Sequence, residues 1–198
     1  MRGTAATTRR RILEAADELF YGAGVRASSV DAIAERAGVT KRTIYYHFRS
    51  KDELITAYLE ARDQPTLTRL KDAMSAGDLE CGVRALFKLV GRAGVNPQWK
   101  GCAFIRIVHE LAGQPGHPAC AVARRHKKTL ERWIAERMEA AGLLEADRRA
   151  KQLLILLDGA ITQMLTHREI IYADVAAAAA ISSLGLVSSI DQRPRLAS

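Results

Sequence analysis

Cysteine is scarce in this sequence: Cys81, Cys102 and Cys120 are the only three in 198 residues. Their number is odd and no two share a CxxC spacing, which argues against a disulfide-stapled secreted fold and for a reducing compartment. Catalytic signatures are missing too. The chain holds no GxxxxGK[ST] phosphate loop, no GxSxG elbow, no HExxH pair and no glycine-rich fingerprint after a strand. His109 and Glu110 are adjacent, and side chains one residue apart on a helix do not face each other. The expectation is therefore a protein that is not an enzyme and carries no cofactor. No apolar N-terminal segment resembles a signal peptide. The least charged run, Val175–Ile190, has 16 residues including four serines, too short and polar to span a bilayer. A cytoplasmic protein without a membrane partner is expected.

What is present is positive charge and helical periodicity. The formal net charge is +8 with a pI near 9.7, a balance that favours polyanionic partners. Residues 1–60 carry ten Lys/Arg against eight Asp/Glu, only +2, so local clustering rather than total charge must locate a site. The apolar share is 48% and the charged share 26%, both ordinary for a globular protein with a real core. Only the ends, Met1–Thr8 and Gln192–Ser198, lack apolar periodicity and are expected to fray.

Nearly every segment has the period of a helix, and strand-like alternation is not evident. Ile12, Leu13, Ala16, Leu19 and Phe20 line one stripe of a first helix ending near Gly22 or Gly24. Val30, Ile33, Ala34 and Ala37 repeat the pattern on a shorter helix. Ser28 or Ser29 can cap it, Asp31 suits its first turn, and Gly38 ends it. Thr40 is a fitting N-cap for a third helix through about Phe48. Ser50-Lys51-Asp52-Glu53 then matches a capping box ahead of Leu54, Ala57 and Tyr58. Beyond Pro65, helices are expected at about 66–76, 79–94, 102–112, 118–141, 147–167 and 171–190, punctuated by Gly77, Gly94, Gly113, Pro115, Gly116, Pro118 and Gly142.

The densest cluster is Val39–Leu54, VTKRTIYYHFRSKDEL. Lys41, Arg42, Arg49 and Lys51 all precede the first acid of that stretch, Asp52, and two tyrosines, a histidine and a phenylalanine lie between them. The brief Ala37-Gly38-Val39-Thr40 connection between two short helices has the spacing of a helix-turn-helix, whose second helix enters the DNA major groove. Ile44 and Phe48 share one face and should pack inward, against Ile33 and Leu19. Lys41, Arg42, Thr43, Tyr45, Tyr46 and His47 are left facing out. An arginine at the base-facing end can donate two parallel hydrogen bonds to guanine O6 and N7. Tyr45, His47 and Lys51, further along, suit phosphates. So short a helix spans only a few base pairs, and a second copy is expected.

The run Arg11-Ile12-Leu13-Glu14-Ala15-Ala16, Leu19-Phe20, Gly24, Val30-Asp31-Ala32-Ile33-Ala34, Ala37-Gly38-Val39, Thr43-Ile44-Tyr45-Tyr46-His47-Phe48 and Lys51-Asp52-Glu53-Leu54 resembles the TetR family of transcriptional regulators over about residues 8–60. The resemblance implies an all-α fold of about nine helices: a DNA-binding helix-turn-helix head at 6–66 and a larger helical ligand-binding and dimerisation domain at 67–192. It implies a homodimer that represses transcription from a double-stranded DNA operator and is released by a small-molecule effector. Carried over by position, Lys41, Arg42 and Thr43 fall where the family reads bases, and Tyr45, His47 and Lys51 where it holds phosphates; Tyr46, Ser29 and Thr40 complete the expected DNA face. Many relatives have glycine where this chain has Arg42, which points to an added base contact.

The C-terminal part is less legible. The resemblance implies a four-helix dimer interface from the last two helices, with Leu153, Leu157, Ile161, Leu165, Ile181 and Leu184 as its expected residues. Phe87, Trp99, Phe104, His109, Trp133 and Met138 are candidate walls of an effector pocket, although large side chains at helical spacing are more often plain core. Trp99–Phe104 resembles a Gly-Cys-x-Phe helix start found in part of the family. His117, Cys120 and His126 fit no standard zinc spacing, and no metal is expected. Redox sensing by Cys102 or Cys120 would need an exposed thiol of low pKa. Two rivals stand beside the regulator: an architectural DNA-binding protein, and a cytosolic enzyme or carrier with a vestigial head.

Overall fold

A computed structural model describes residues 5–186. Nine helices and no strand occur among the described residues: α1 (Ala5–Ala23), α2 (Val30–Ala37), α3 (Lys41–His47), α4 (Lys51–Met74), α5 (Leu79–Gly94), α6 (Ala103–Glu110), α7 (Pro118–Ala140), α8 (Ala146–His167) and α9 (Ile171–Leu184). The fold is all-α, as the periodicity requires. The chain forms two compact units. One contains the residues up to Thr68 together with Lys100–Thr129; the other contains Arg69–Trp99 and the residues from Leu130 onward. By packing, then, α6 and the first half of α7 belong with the N-terminal helices, whereas the expectation divides the chain at 66/67.

The first unit is built around Ile12, Ala16 and Phe20 of α1, Ile33 of α2, Ile44 of α3, Leu54 and Tyr58 of α4, and Phe104 and Ile107 of α6, all in one apolar core. Polar ties fix its helices. The Arg62 guanidinium forks onto the Asp17 carboxylate and lies 4.4 Å from the centre of the Tyr21 ring, joining α4 to α1. His126 is buried, pairs with Asp63 through Nδ1 at 2.7 Å and stacks on Phe104 with ring centres 3.6 Å apart.

In the second unit α5, α8 and α9 pack on one another. Val83, Leu86 and Phe87 of α5, Leu153 and Leu157 of α8, and Ala180 and Ile181 of α9 are buried. Small residues set the approach distances. A side chain at Gly82 would collide with the backbone carbonyl of Met74, and one at Gly91 would lie 3.3 Å from the Ala173 Cβ.

Several expectations need correction. Pro65 does not end a helix: α4 runs through it to Met74. Proline removes one N–H bond, the one to the Ala61 carbonyl, but Ala61 and Pro65 are both exposed, so water can satisfy that carbonyl. Leu59, Leu67 and Met74 are buried on both sides of the proline, and that packing carries the helix on. The expected separate helix at 66–76 is thus the end of α4. The last helix stops at Leu184 rather than 190. Gly185 takes positive φ, and the Gly185 and Leu186 N–H groups bond the Ser182 and Ile181 carbonyls, a Schellman closure. Val187 and Ile190 lie outside the described residues, as do Met1–Thr4 and Gln192–Ser198. At the other end, Ala5–Thr8 are helical rather than frayed.

Candidate nucleic-acid interface

The helix-turn-helix follows from local chemistry. Ser29 caps α2 by accepting a hydrogen bond from the Ala32 N–H at 3.0 Å. Ser28 is buried instead and donates to the Gly24 and Leu19 carbonyls. At the far end Gly38 sits at φ 61°, a region that costs other L-residues energy. The Gly38 and Val39 N–H groups bond the Glu35 and Ala34 carbonyls, again a Schellman closure. Arg11 of α1 reaches across and donates to the Ala37 carbonyl at 2.6 Å and the Gly38 carbonyl at 3.3 Å. The turn is therefore held from inside by glycine geometry and from outside by a guanidinium.

Thr40 caps α3, its hydroxyl accepting from the Thr43 N–H at 3.1 Å and pairing with the Thr43 hydroxyl at 2.9 Å. Only Ile44 and Phe48 anchor this segment inward, each 1% exposed. Lys41, Arg42, Tyr45 and Tyr46 are exposed and Thr43 and His47 half-buried. Tyr46 is 81% exposed, an unusual position for an aromatic ring in a lone protomer. Its ring meets the His47 ring edge-on at 5.2 Å between centres. Lys51, half-buried, begins α4. There Ser50 accepts from the Glu53 N–H at 3.1 Å, and the Glu53 carboxylate reaches back one residue further than a capping box requires, to the Arg49 N–H at 2.7 Å.

Two features of this face were not visible as sequence pattern. Arg9 of α1 lies over the Phe48 ring, 5.0 Å from its centre. And the cationic run is not unopposed: Asp31 of α2 meets the Lys41 ammonium at 2.9 Å. That hydrogen bond and the carboxylate charge hold the Lys41 pKa above its ordinary value.

The remaining candidates belong to both units. Phe87 and Met138 are buried in the second unit, while Trp99 and Trp133 are half-buried there, with Lys71 and Arg137 over the Trp133 ring. Phe104 serves as core of the first unit and His109 is exposed. None of the six lines the polar cleft of about 330 Å³ between α1 and α2, whose walls include Arg11, Glu18 and Arg36. Each buried histidine faces a carboxylate of its own, His126 facing Asp63 and His117 facing Asp52 at 3.4 Å. Among the described residues no group of three or more His, Cys, Asp or Glu is placed to hold a metal. Cys120 is buried and Cys102 half-buried. No helix among the described residues is long and apolar enough to cross a membrane.

The expected interface residues differ in exposure within the single chain. Leu153, Leu157, Ile181 and Leu184 are buried within the single chain, with Ile161 and Leu165 half-buried. Packing of α8 and α9 on α5 and on each other within one chain already covers the first four.

Comparison with known proteins agrees with this geometry. Residues 12–58 match the family model described as bacterial regulatory proteins, tetR family. The chain is 31% identical over 174 residues to the HTH-type transcriptional regulator TtgR of Pseudomonas putida, covering 81% of each chain. It belongs to the TetR family. Over 61 residues it is 44% identical to the HTH-type transcriptional regulator SrpR of Pseudomonas putida, a match spanning 31% of this chain and 29% of SrpR. Its fold superposes on SCO4454, a TetR-family transcriptional regulator from Streptomyces coelicolor, with a TM-score of 0.83 and 27% identity over 92% of this chain and 97% of that one. The protein is thus a DNA-binding transcriptional regulator of the TetR family and not an enzyme.

Proposed function

We propose that this TetR-family regulator is a homodimeric repressor of the cytoplasm. It binds a palindromic operator through paired α3 helices and is released when a small molecule occupies the domain beyond residue 66. The observation that carries the DNA reading is the division of α3: two residues hold it to the core, and Arg42, Tyr45 and Tyr46 project from the other side. Lys41, Arg42 and Thr43 read bases; Tyr45, His47 and Lys51 fix phosphates. Seven residues at 1.5 Å each reach about 10 Å, part of one groove turn, so two copies are needed for a full site. Selection from random duplexes should yield a palindrome, preferred over scrambled DNA by about 10³-fold or more at physiological salt. Binding with no sequence preference would favour an architectural role instead. Arg42→Ala should weaken the selected site by about 1–3 kcal/mol and relax one base position, as read by repeating the selection with the variant.

For the dimer, the support is what α8 and α9 leave uncovered. Ile155 is 70% exposed, and Gly159 and Thr162 continue its face of α8. On α9, Ile171, Val175 and Ala178 are likewise exposed. Apolar and small side chains on two adjacent helices suit close packing against the same pair of a second copy. Ile155→Glu should convert the dimer to monomer in sedimentation with the thermal midpoint of each protomer little changed. A dimer that survives it would move the interface elsewhere.

A further inference from the structure

We propose that Asp31 is a specificity-determining residue: by holding the Lys41 ammonium at the mouth of the recognition helix, it keeps that cation from serving as an indiscriminate phosphate contact. The inference rests on the reading that Lys41 meets DNA. Three observations lead to it. Asp31 Oδ2 and Lys41 Nζ are 2.9 Å apart although they belong to different helices. Both side chains are more than half exposed, 68% and 51%, so the pair contributes little to folding and a role in stability does not account for it. And α3 has no acid of its own in its first turn, so the carboxylate that holds Lys41 comes from α2, while Arg42 beside Lys41 stays exposed.

An ammonium carries three donors. With one donor engaged by Asp31, Lys41 keeps two for base acceptors in the groove and can read them without leaving the carboxylate. To reach a phosphate oxygen on the backbone it must let go. A mismatched duplex offers only that second option, since non-specific affinity comes almost entirely from phosphates. Asp31 therefore weakens binding to wrong sequences more than to the right one, which is how discrimination by a repulsive element works.

The test uses the full-length chain, the duplex it selects from a random pool and a scrambled duplex of the same composition, each titrated over a range of salt. Asp31→Asn should raise affinity for the scrambled duplex about 3- to 10-fold and steepen its salt slope by about 0.9, the value for one added phosphate contact, while affinity for the selected duplex changes less than about 2-fold. Asp31→Glu, which keeps the charge within reach of Lys41, should retain the original preference. In a Lys41→Gln background the Asp31→Asn gain should vanish. If Asp31→Asn weakens both duplexes equally with a lower thermal midpoint, Asp31 only stabilises the first turn of α2 and the proposal fails. If the gain persists without Lys41, Asp31 acts as a plain negative charge and the proposal fails as well. If Lys41→Gln alone leaves both affinities unchanged, the DNA contact itself is wrong.

Discussion

Leu157→Glu should unfold the second unit rather than separate two intact protomers. Leu157 is 2% exposed within the single chain, on the side of α8 where Leu153, Leu154 and Met164 are also buried. A carboxylate there loses its hydration among apolar side chains. Lost packing and an uncompensated polar group together cost about 3–5 kcal/mol, a large share of the roughly 5–15 kcal/mol that holds a typical domain folded. Both tryptophans of the chain, Trp99 and Trp133, lie in the second unit, so their fluorescence reports its unfolding directly. The urea midpoint followed by that signal should fall sharply, and far-ultraviolet circular dichroism at the same protein concentration should show lost helix. Ile155→Glu, two residues away on the opposite face, should leave both signals near the original and change only the sedimentation coefficient. A Leu157→Glu chain that stayed folded with an unchanged midpoint would return Leu157 to the surface between protomers.

That contrast shows where the sequence is legible and where it is not. A stripe such as Leu153, Leu157, Ile161 and Leu165 says that a helix buries a face; it does not say against which chain. Burial inside one protomer and burial between two call on the same apolar side chains. On α8 the face proposed for a partner carries an isolated isoleucine, Ile155, followed by Gly159 and Thr162, and this reads in sequence as an ordinary solvent side. Pro65 misleads for a related reason: proline weakens a helix by a local amount, and the buried residues on both sides of it outweigh that locally visible cost. The candidate pocket residues are less legible because size and aromaticity mark core as readily as ligand contact: Phe87, Phe104 and Met138 are all buried.

The head was legible because its signals are local. Ser29, Gly38 and Thr40 are chosen by backbone geometry within a few residues of themselves, and the inward pair Ile44 and Phe48 follows from spacing four apart on one helix. What remained hidden there depends on contacts across the chain. Arg11 holds the carbonyls of a turn 26 residues away, and Asp31 meets Lys41 ten residues on; neither pairing has a period that could announce it.

Phe48→Ala should have the largest effect on DNA binding of any single core change in the head. The ring is 1% exposed, and Phe48 closes α3 with extended backbone at φ −141°, its N–H bonding the Ile44 carbonyl at 2.9 Å. Truncation leaves a cavity, and buried Phe→Ala changes cost about 3–5 kcal/mol. The functional cost follows from geometry. A helix of seven residues held by two anchors keeps one direction; held by Ile44 alone it can swing, and Lys41, Arg42 and Thr43 then lose the fixed direction that the proposed base reading needs. Arg9 also loses the ring face beneath its guanidinium. The variant should melt well below the original by circular dichroism and, at a temperature where it is still folded, bind its selected duplex with a preference over scrambled DNA reduced at least about tenfold, since 1.4 kcal/mol of misplaced contact suffices for that. Phe48→Leu keeps most of the volume and should cost less than about 1.5 kcal/mol, preserving most of the preference. If the alanine variant, folded, discriminated as well as the original, the direction of α3 would have to be set by the Thr40 cap and the Arg11-held turn, with Phe48 contributing stability alone.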